Sequence, residues 1–564
     1  MLISNPVRDF FHKIVQERVL VMVAQDVDGL CACKILQSLF KCDHVQYTLV
    51  PVSNKQDLLR EFDAHKEQYK HMILLNCGGN IDLLDVLDPE DDIMIYVIDS
   101  HRPVDLVNFY CERQIYLIMR HGPDEIDLIP DYDCIYRNYE SDEEDSGTEY
   151  EQSSKRHKFD TETLEKRREK KIWEEKRKEI IFDYEFSYYG TSASVVLYEL
   201  AWKMSKDDVT MLWWAIIAVT SQYQNKRIGR ERYISGVLEL QGHLSRLNHR
   251  TEDQDTTTMS IDAMKINFEH DLDIALYRHW SLFESLCHSL NSSTTFKVWT
   301  NLGMKRLHQF LAEMGIPLTQ CKQSFAFMET KTRDNLQTLV QEAAEKFGLR
   351  NIKYHSFTAQ CGFIHKLCAS DAVYSIDALL SSKVGSELDD ENSNFVDALD
   401  SLSRITAPKV ISGLETAKIQ LKAIKNNVGS FIDIGQVLSY GPFLFSSIKE
   451  GSPDSTFFAQ PSFLLMFAHY LLHSYIRSLG KSKRERARNL PLVVSAPKQD
   501  GNTIIMGIPP IAEESRKNLF GNAFVHSAER TKSRTEHYFF DSSAVLVKNE
   551  DTSKFIDALI TIMS

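Results

Sequence analysis

The fold of the N-terminal third follows from one stretch, Arg18-Val19-Leu20-Val21-Met22-Val23-Ala24-Gln25-Asp26-Val27-Asp28-Gly29. Its apolar run is short and rich in β-branched residues, which is the pattern of a buried strand. Gly29 can adopt a strained turn conformation, and residues 30–40 carry apolar side chains at helical spacing. The stretch therefore predicts a strand, a turn and a helix. Ligands of open α/β sheets bind at this carboxyl edge of the strands.

Two carboxylates follow the first strand directly. Asp26 and Asp28 stand two residues apart, so in an extended chain both side chains would point the same way. Such a pair is a common way to hold a hard divalent cation over a phosphate. The alternative is an exposed turn in which the aspartates bond only to the local backbone, and the motif alone leaves both readings open.

Two further apolar runs end in polar residues in the same manner. Residues 71–75 lead into Asn76, and residues 93–98 lead into Asp99, Ser100 and His101. Three such strand ends at one sheet edge are typical of a phosphate or metal site. Strands alternate with amphipathic helices up to about residue 136, which predicts βαβ units and a mostly parallel sheet.

The order and spacing of these motifs resemble the DHH phosphoesterase superfamily, whose RecJ-like exonucleases carry Asp-x-Asp, a strand-end Asp and Asp-His-His. Residues 30–36 (Leu-Cys-Ala-Cys-Lys-Ile-Leu) and 42–52 (Cys-Asp-His-Val-Gln-Tyr-Thr-Leu-Val-Pro-Val) are similar to one branch, the cell division control protein 45 family, and this resemblance runs the length of the chain. The resemblance implies an α/β protein with a DHH-type parallel-sheet N-terminal domain, a helical insertion and a second, smaller α/β domain like DHHA1.

The sequence departs from the active enzymes at two positions. Asn76 stands where they have the metal-bridging Asp, and Ser100 stands where they have the first His. An amide binds a hard cation far more weakly than a carboxylate, and Ser rarely replaces imidazole. We therefore expect no catalytic residue, no bound metal and no cofactor. The remnant of the DHH site comprises Asp26, Asp28, Asn76, Asp99, Ser100 and His101.

Without a cation, the two acids of the first motif need another source of stabilisation. We expect one of them to have a raised pKa or to contact a basic neighbour such as Arg102. Ser192 and Ser194 open a later helix at a small-residue turn that resembles the one closing the RecJ-like catalytic domain. Plain helix capping by these serines is an equal alternative.

Composition divides the rest of the chain. Residues 1–139 and 181–225 are assigned to the DHH-like α/β core. Between them, residues 140–180 form an acidic, then mixed-charge linker, expected to be largely disordered or an exposed helix because it lacks an apolar period. Residues 226–348 have a helical pattern and are predicted to be an interaction domain.

Residues 349–564 return to mixed structure and are assigned to the DHHA1-like domain. Two apolar runs flank a turn at residues 498–502, which predicts a β-hairpin. The basic run 481–488 is interpreted as an exposed loop, with contact to phosphates as the alternative.

The global composition limits the function classes. The chain has 564 residues, a formal net charge of -14 and 43% hydrophobic residues, as expected for a globular protein with a sizeable core. The negative charge argues against a protein that coats nucleic acid, so any DNA contact must be local. Ten scattered cysteines favour a reducing compartment. The most apolar run, residues 211–219, is too short to span a bilayer, and we expect no membrane contact.

The family resemblance implies a non-catalytic subunit of the eukaryotic replicative DNA helicase in the nucleus, required for initiation and elongation of replication. The implied partners are the minichromosome maintenance hexamer, the GINS complex, the replicative polymerase, other fork factors and, weakly, single-stranded DNA. The alternative is an active metal-dependent RecJ-like single-strand exonuclease with rebuilt ligands, and a hydrolase of small phosphoesters is a third reading.

Overall fold

The computed structural model describes residues 1–120, 122, 125–136, 156–252, 264–361, 365–382, 392–403, 408–452, 454–498, 500–512, 517–537 and 540–564. The chain divides into two compact units, Met1–Met119 with Ser187–Ser564, and Arg120–Phe186.

The strands are β1 (Arg18–Ala24), β2 (Gln46–Val52), β3 (His71–Leu75), β4 (Met94–Ile98), β5 (His101–Arg102), β6 (Ile115–Leu117), β7 (Tyr188–Tyr189), β8 (Met264–Leu272), β9 (Lys353–Cys361), β10 (His365–Cys368), β11 (Leu438–Ser439), β12 (Leu444–Ser447), β13 (Leu492–Pro497), β14 (Asn502–Ile508), β15 (Thr535–His537) and β16 (Ala544–Lys548).

The helices are α1 (His12–Ile14), α2 (Val27–Asp43), α3 (Lys55–His65), α4 (Leu83–Leu87), α5 (Leu106–Tyr110), α6 (Tyr132–Ile135), α7 (Arg156–Tyr184), α8 (Ala193–Lys203), α9 (Val209–Gln224), α10 (Arg230–Glu252), α11 (Leu282–His288), α12 (Leu290–Phe296), α13 (Asn301–Glu313), α14 (Leu318–Lys322), α15 (Thr330–Phe347), α16 (Ala369–Leu380), α17 (Ser393–Ser401), α18 (Pro408–Ile434), α19 (Ser455–Phe458), α20 (Pro461–Ser478), α21 (Lys481–Arg488), α22 (Phe520–Thr531) and α23 (Thr552–Met563). A π-helical turn covers Val7–Phe11 and a 3₁₀ turn covers Phe325–Phe327.

A five-stranded parallel sheet forms the N-terminal core, in the order β2-β1-β3-β4-β6. β1, β3 and β4 are almost fully buried because neighbouring strands and covering helices leave no face in water. Helix α2 packs on α8 and α9. The predicted parallel sheet is confirmed, and its carboxyl edge carries the polar strand ends.

The turn predicted at residues 26–29 is instead the first turn of α2. Asp26 is the N-cap, and its Oδ1 accepts a hydrogen bond from the Gly29 amide at 2.8 Å. Gly29 is needed for space rather than for a left-handed backbone, because a Cβ here would lie 2.6 Å from the carbonyl oxygen of Ala24. Asp26 has an extended backbone but Asp28 lies in the helix, so the expectation that one extended segment points both side chains the same way is wrong.

The segment predicted to be helical, residues 226–348, also contains a strand. β8 pairs antiparallel with β9, which pairs with β10 in a three-stranded sheet. Met264, Ile266 and Phe268 alternate with polar residues, a period of two that the helical interpretation overlooked. Leu272 ends this strand, and the helices α11 to α15 follow it.

The C-terminal sheet has the order β11-β12-β13-β14-β16-β15 and is mixed, since β12 and β13 are parallel and the other pairs are antiparallel. The predicted hairpin is confirmed as β13 and β14. The basic run 481–488 is helix α21, so its interpretation as a loop is wrong. Lys, Arg and Glu are good helix formers, and no Gly or Pro interrupts the run.

The most apolar run lies in α9, whose residues from Met211 to Gln222 are all buried, so this run belongs to a core helix. Across the described ranges, none of the helices combines the length and apolar character needed to cross a membrane.

In the unit Arg120–Phe186, Arg177 Nε donates to the carbonyl of Ile135 at 3.0 Å. For the linker at residues 140–180, the helix that was one expectation is present as α7, which begins at Arg156, while residues 140–155 fall outside the described residues.

Candidate functional site

Asn76 joins two of the three strand ends. Its Nδ2 donates to Oδ2 of Asp26 at 2.6 Å, and its Oδ1 accepts from the Ser100 hydroxyl at 2.7 Å and from the Ser100 amide at 3.1 Å. Asn76 is fully buried with φ 54°, a left-handed conformation that Asn tolerates better than most residues. One amide side chain thus uses both its donor and its acceptor to connect the ends of β1 and β4.

Asp28 points away from Asp26 to the start of α8. Its carboxylate accepts from both hydroxyls of Ser192 and Ser194, at 2.6 and 2.7 Å, and from the backbone amides of Ala193 and Ser194, each at 3.0 Å. Such amides at a helix N-terminus attract a negative charge. Ser192, at the N-cap position, makes no capping bond of its own, so the plain-capping reading of these serines is wrong.

Asp99 and His101 form a buried pair. His101 Nδ1 donates to Asp99 Oδ1 at 2.7 Å, and the amide of Gly79 donates to Asp99 Oδ2 at 2.8 Å. Burial alone would raise the pKa of Asp99, but the His101 charge and these donors lower it below its usual value. Burial opposes charge on His101 too, yet Asp99 raises the net pKa of the imidazole. The pair favours an imidazolium beside a carboxylate.

The cation beside Asp26 is Arg227, a residue that follows α9. Its Nη1 lies 3.6 Å from Oδ2 of Asp26, and its guanidinium carbon lies 4.6 Å from the centre of the Tyr189 ring. Arg102, the neighbour expected in this role, directs Nη1 to the backbone carbonyls of Asp99 and His101, at 2.8 and 2.9 Å. The cation was therefore correctly expected but assigned to the wrong arginine.

Three acids from distant parts of the chain interact with Arg227. Burial raises the pKa of Asp26, and Arg227 offsets this only in part, as expected for one of the two acids. Burial raises the pKa of Asp377 to about 6. Burial would also raise the pKa of Asp541, but Arg227 and the donors of Ser543 lower it. The Tyr189 hydroxyl donates to Asp541 at 2.9 Å, so the ring under Arg227 is itself anchored.

These residues do not fit the divalent metal that the fold family implies. Asp28 is engaged by α8, Asn76 turns a donor toward Asp26, and a guanidinium carries the positive charge beside that carboxylate. Within the ranges that the structure describes, no group of three or more His, Cys, Asp or Glu side chains is placed to hold a metal ion. His101 Nε2 is a buried nitrogen without a hydrogen-bond partner in that part of the chain.

The sequence motifs identified Asp26, Asn76, Asp99, Ser100 and His101 as neighbours, and the structure brings them together. Arg227 and the acids around it were missed. No local motif marks them, because each lies in a separate segment and only the packing of α9, α16 and the C-terminal sheet brings them to the edge of β1. The one signal that the sequence offers is the position of Arg227, three residues after the end of a helix that carries the most apolar run of the chain.

The chain is similar to known proteins of one family over its whole length. The family model described as CDC45 matches residues 19–134 and 132–562. The chain is 45% identical to the cell division control protein 45 homolog of Homo sapiens, with 100% of both chains covered. It is 30% identical to the homolog of Schizosaccharomyces pombe, covering 96% of this chain and 95% of that one. The crystal structure of CDC45 from Entamoeba histolytica matches with a TM-score of 0.70 at 20% identity over the full length of both chains, which confirms the predicted fold class.

Proposed function

The chain belongs to the CDC45 family, which implies a role in DNA replication, and from this premise we propose that it is a non-catalytic subunit of the eukaryotic replicative helicase. In this proposal it acts in the nucleus with the minichromosome maintenance hexamer and the GINS complex, and it meets the replicative polymerase and other fork factors there. It supports both initiation and elongation of replication and contacts single-stranded DNA weakly.

The hydrogen bond from Asn76 to Asp26 is the observation that carries the non-catalytic part. Two-metal phosphoryl transfer needs ligands that hold two cations about 3.5–4 Å apart. The Asn76 amide brings no charge to such a bridge, and its donor occupies the carboxylate oxygen that a cation would need. We propose that Asp26, Asp28, Asn76, Asp99, Ser100 and His101 are the remnant of a phosphoesterase site.

Arg227 supports the same proposal. A fixed guanidinium near Asp26 supplies positive charge that a phosphoesterase would take from its metal. The Arg227 charge is balanced by the nearby Asp377 and Asp541. The positive charge at this edge of the sheet is therefore a fixed part of the chain and does not depend on an ion that can dissociate. This arrangement stabilises the sheet edge and leaves the carboxylates without a role in hydrolysis.

The domain assignment remains part of the proposal. Residues 1–139 and 181–225 are the DHH-like core, and 349–564 are the DHHA1-like part. Residues 226–348, which carry α10, β8 and α11 to α15, are the interaction domain that attaches the protein to the helicase.

An exonuclease assay tests the enzymatic half of the proposal. The full chain and Asp26→Asn are incubated with Mn²⁺ or Mg²⁺ and 5′-labelled single-stranded DNA. We expect neither protein to release labelled fragments. Cleavage that follows the full chain through purification and disappears in Asp26→Asn would establish the exonuclease alternative.

Native mass spectrometry with purified minichromosome maintenance hexamer and GINS complex tests the assembly half. We expect a complex containing all three components. Failure of the folded chain to join either partner would overturn the proposed assembly, whatever the outcome of the nuclease assay.

A further inference from the structure

Five cations that are far apart in sequence lie together at the junction of four helices. Lys297 caps the C-terminus of α12, Arg306 lies on α13, Arg477 lies in the last turn of α20, and Arg484 and Arg488 lie on α21. We call these five residues the basic junction. α12 packs against both α13 and α20, and α20 packs against α21, so the junction is a product of the fold.

Arg484 shows how closely the junction is packed. Its Nη2 donates to the carbonyl oxygens of Leu479 and Arg477, at 3.0 and 3.3 Å. Its Nε is buried and has no hydrogen-bond partner in the described residues. A buried charged donor without an acceptor destabilises the folded protein, and an anion that accepts a hydrogen bond from it would remove that cost.

The cations of the basic junction repel one another. Burial and the charges of Arg484, Arg306 and Arg477 lower the pKa of Lys297. Burial and the charges of Arg484 and Arg488 lower the pKa of Arg477. None of the five forms an ion pair with a carboxylate in the part of the chain that the structure describes, although the whole chain has a net charge of -14. The junction is thus a local concentration of uncompensated positive charge.

We propose that the basic junction binds the phosphate backbone of nucleic acid, at a position separate from the edge of β1. Guanidinium groups bind phosphate oxygens through paired donors, and four of the five cations are arginines. Arg484 and Arg488 lie four residues apart on one face of α21, so their charges form a row along the helix. The row suits a polymer that presents phosphates at regular intervals.

The chemistry favours nucleic acid over an acidic protein segment. A duplex carries one charge per roughly 1.7 Å of axis, a density at which bound counterions are released on contact with cations. The partly buried cations of the basic junction are therefore stabilised more by a nucleic-acid backbone than by an acidic protein segment, whose charges are more widely spaced. The basic junction consists of one lysine and four arginines and contains no aromatic side chain on which a base could stack. We therefore expect it to bind phosphates and not bases. We therefore expect duplex and single strand to bind with similar affinity.

A pair of double variants tests the proposal on the full chain. Arg306→Gln with Arg488→Gln removes two exposed members of the junction. Lys483→Gln with Arg486→Gln removes the same charge from the opposite face of α21, where both residues are exposed. Binding of a fluorescent short duplex of mixed sequence is measured by anisotropy over a range of salt concentrations, and folding is checked by thermal unfolding.

We expect the parent to show a slope of log K against log salt near -4.5, which is about 0.9 for each of five phosphate contacts. The junction double variant should lose about 1.8 of this slope and bind more weakly, whereas the opposite-face variant should stay close to the parent. Equal weakening by both double variants would overturn the proposal, since net charge alone would then explain binding. Unchanged binding by the junction variant, or displacement of the duplex by equimolar polyglutamate, would overturn it as well.

Discussion

Nδ2 of Asn76 donates a hydrogen bond to Oδ2 of Asp26 at 2.6 Å, while Oδ1 of the same side chain accepts from the Ser100 hydroxyl. This position needs a donor on one side and an acceptor on the other, which an amide provides and a carboxylate does not. The contact explains why the ends of β1, β3 and β4 can meet without a cation between them. It also determines what happens when metal ligands are restored.

We expect that Asn76→Asp with Ser100→His will not bind Mn²⁺ tightly, because Arg227 still carries the positive charge beside Asp26. Adding Arg227→Met to these two changes should create measurable Mn²⁺ affinity, since Asp26 and the introduced carboxylate then have no cation beside them, and the introduced imidazole offers a further ligand. Titration followed by the electron paramagnetic resonance of free Mn²⁺ measures both variants. Tight binding by the double variant alone would show that Arg227 does not exclude the metal.

Asp28→Asn should destabilise the protein by about 2–4 kcal/mol, because a buried carboxylate that accepts from two amides and two hydroxyls is replaced by a group with donors of its own. Asp26→Asn should destabilise the protein less, by about 1–2 kcal/mol, because the Asp26 carboxylate accepts from two donors, Gly29 and Asn76, and the amide loses only one of these bonds. Thermal unfolding compares the two variants. The reverse order of Tm values would contradict the assignment of Asp28 as the helix anchor.

Asp377 gives a pH dependence. Burial raises its pKa from 3.8 to about 6, so its favourable contribution is complete below pH 3.8 and is lost as the pH rises through 6. Asp377→Asn should therefore stabilise the protein at pH 8 by up to about 3 kcal/mol, with little gain near pH 4. The Tm of the variant relative to the parent, measured across this range, tests the sign. Asp557→Asn, at an exposed position on α23, is the matched control for the Asp-to-Asn change itself.

Gly29→Ala should destabilise the protein by several kcal/mol, because the new Cβ would lie 2.6 Å from the Ala24 carbonyl oxygen at the tightest point of the β1–α2 connection. Gly242→Ala, at an exposed position of α10 where an added Cβ would have no atom within 4 Å, should instead stabilise the protein by about 0.5–1 kcal/mol. Thermal unfolding of both variants is the measurement. Similar Tm changes in the two would mean that helix propensity, and not the close contact, decides the effect at Gly29.

Local pattern was sufficient for the buried strands β1, β3 and β4, the core helix α9 and the hairpin β13–β14, because their apolar periods are short-range properties of the chain. The local sequence pattern did not predict the correct element where helical and strand periods overlap, or where a charged segment has no clear apolar period. β8 was hidden by the helical spacing of its surroundings, and the charged run of α21 was read as a loop because it has almost no apolar face.

The sequence by itself determined the parallel sheet and the identity of the polar residues at its edge, including the Asn76 and Ser100 substitutions. Only the tertiary structure decided what those residues contact. Asp28 turns to the N-terminus of α8, and Arg227 comes to Asp26 with Asp377 and Asp541 around it, from segments up to hundreds of residues away. The physical reason is that a strand's position depends on its own apolar side chains, whereas a buried charge is placed by whichever distant group can compensate it.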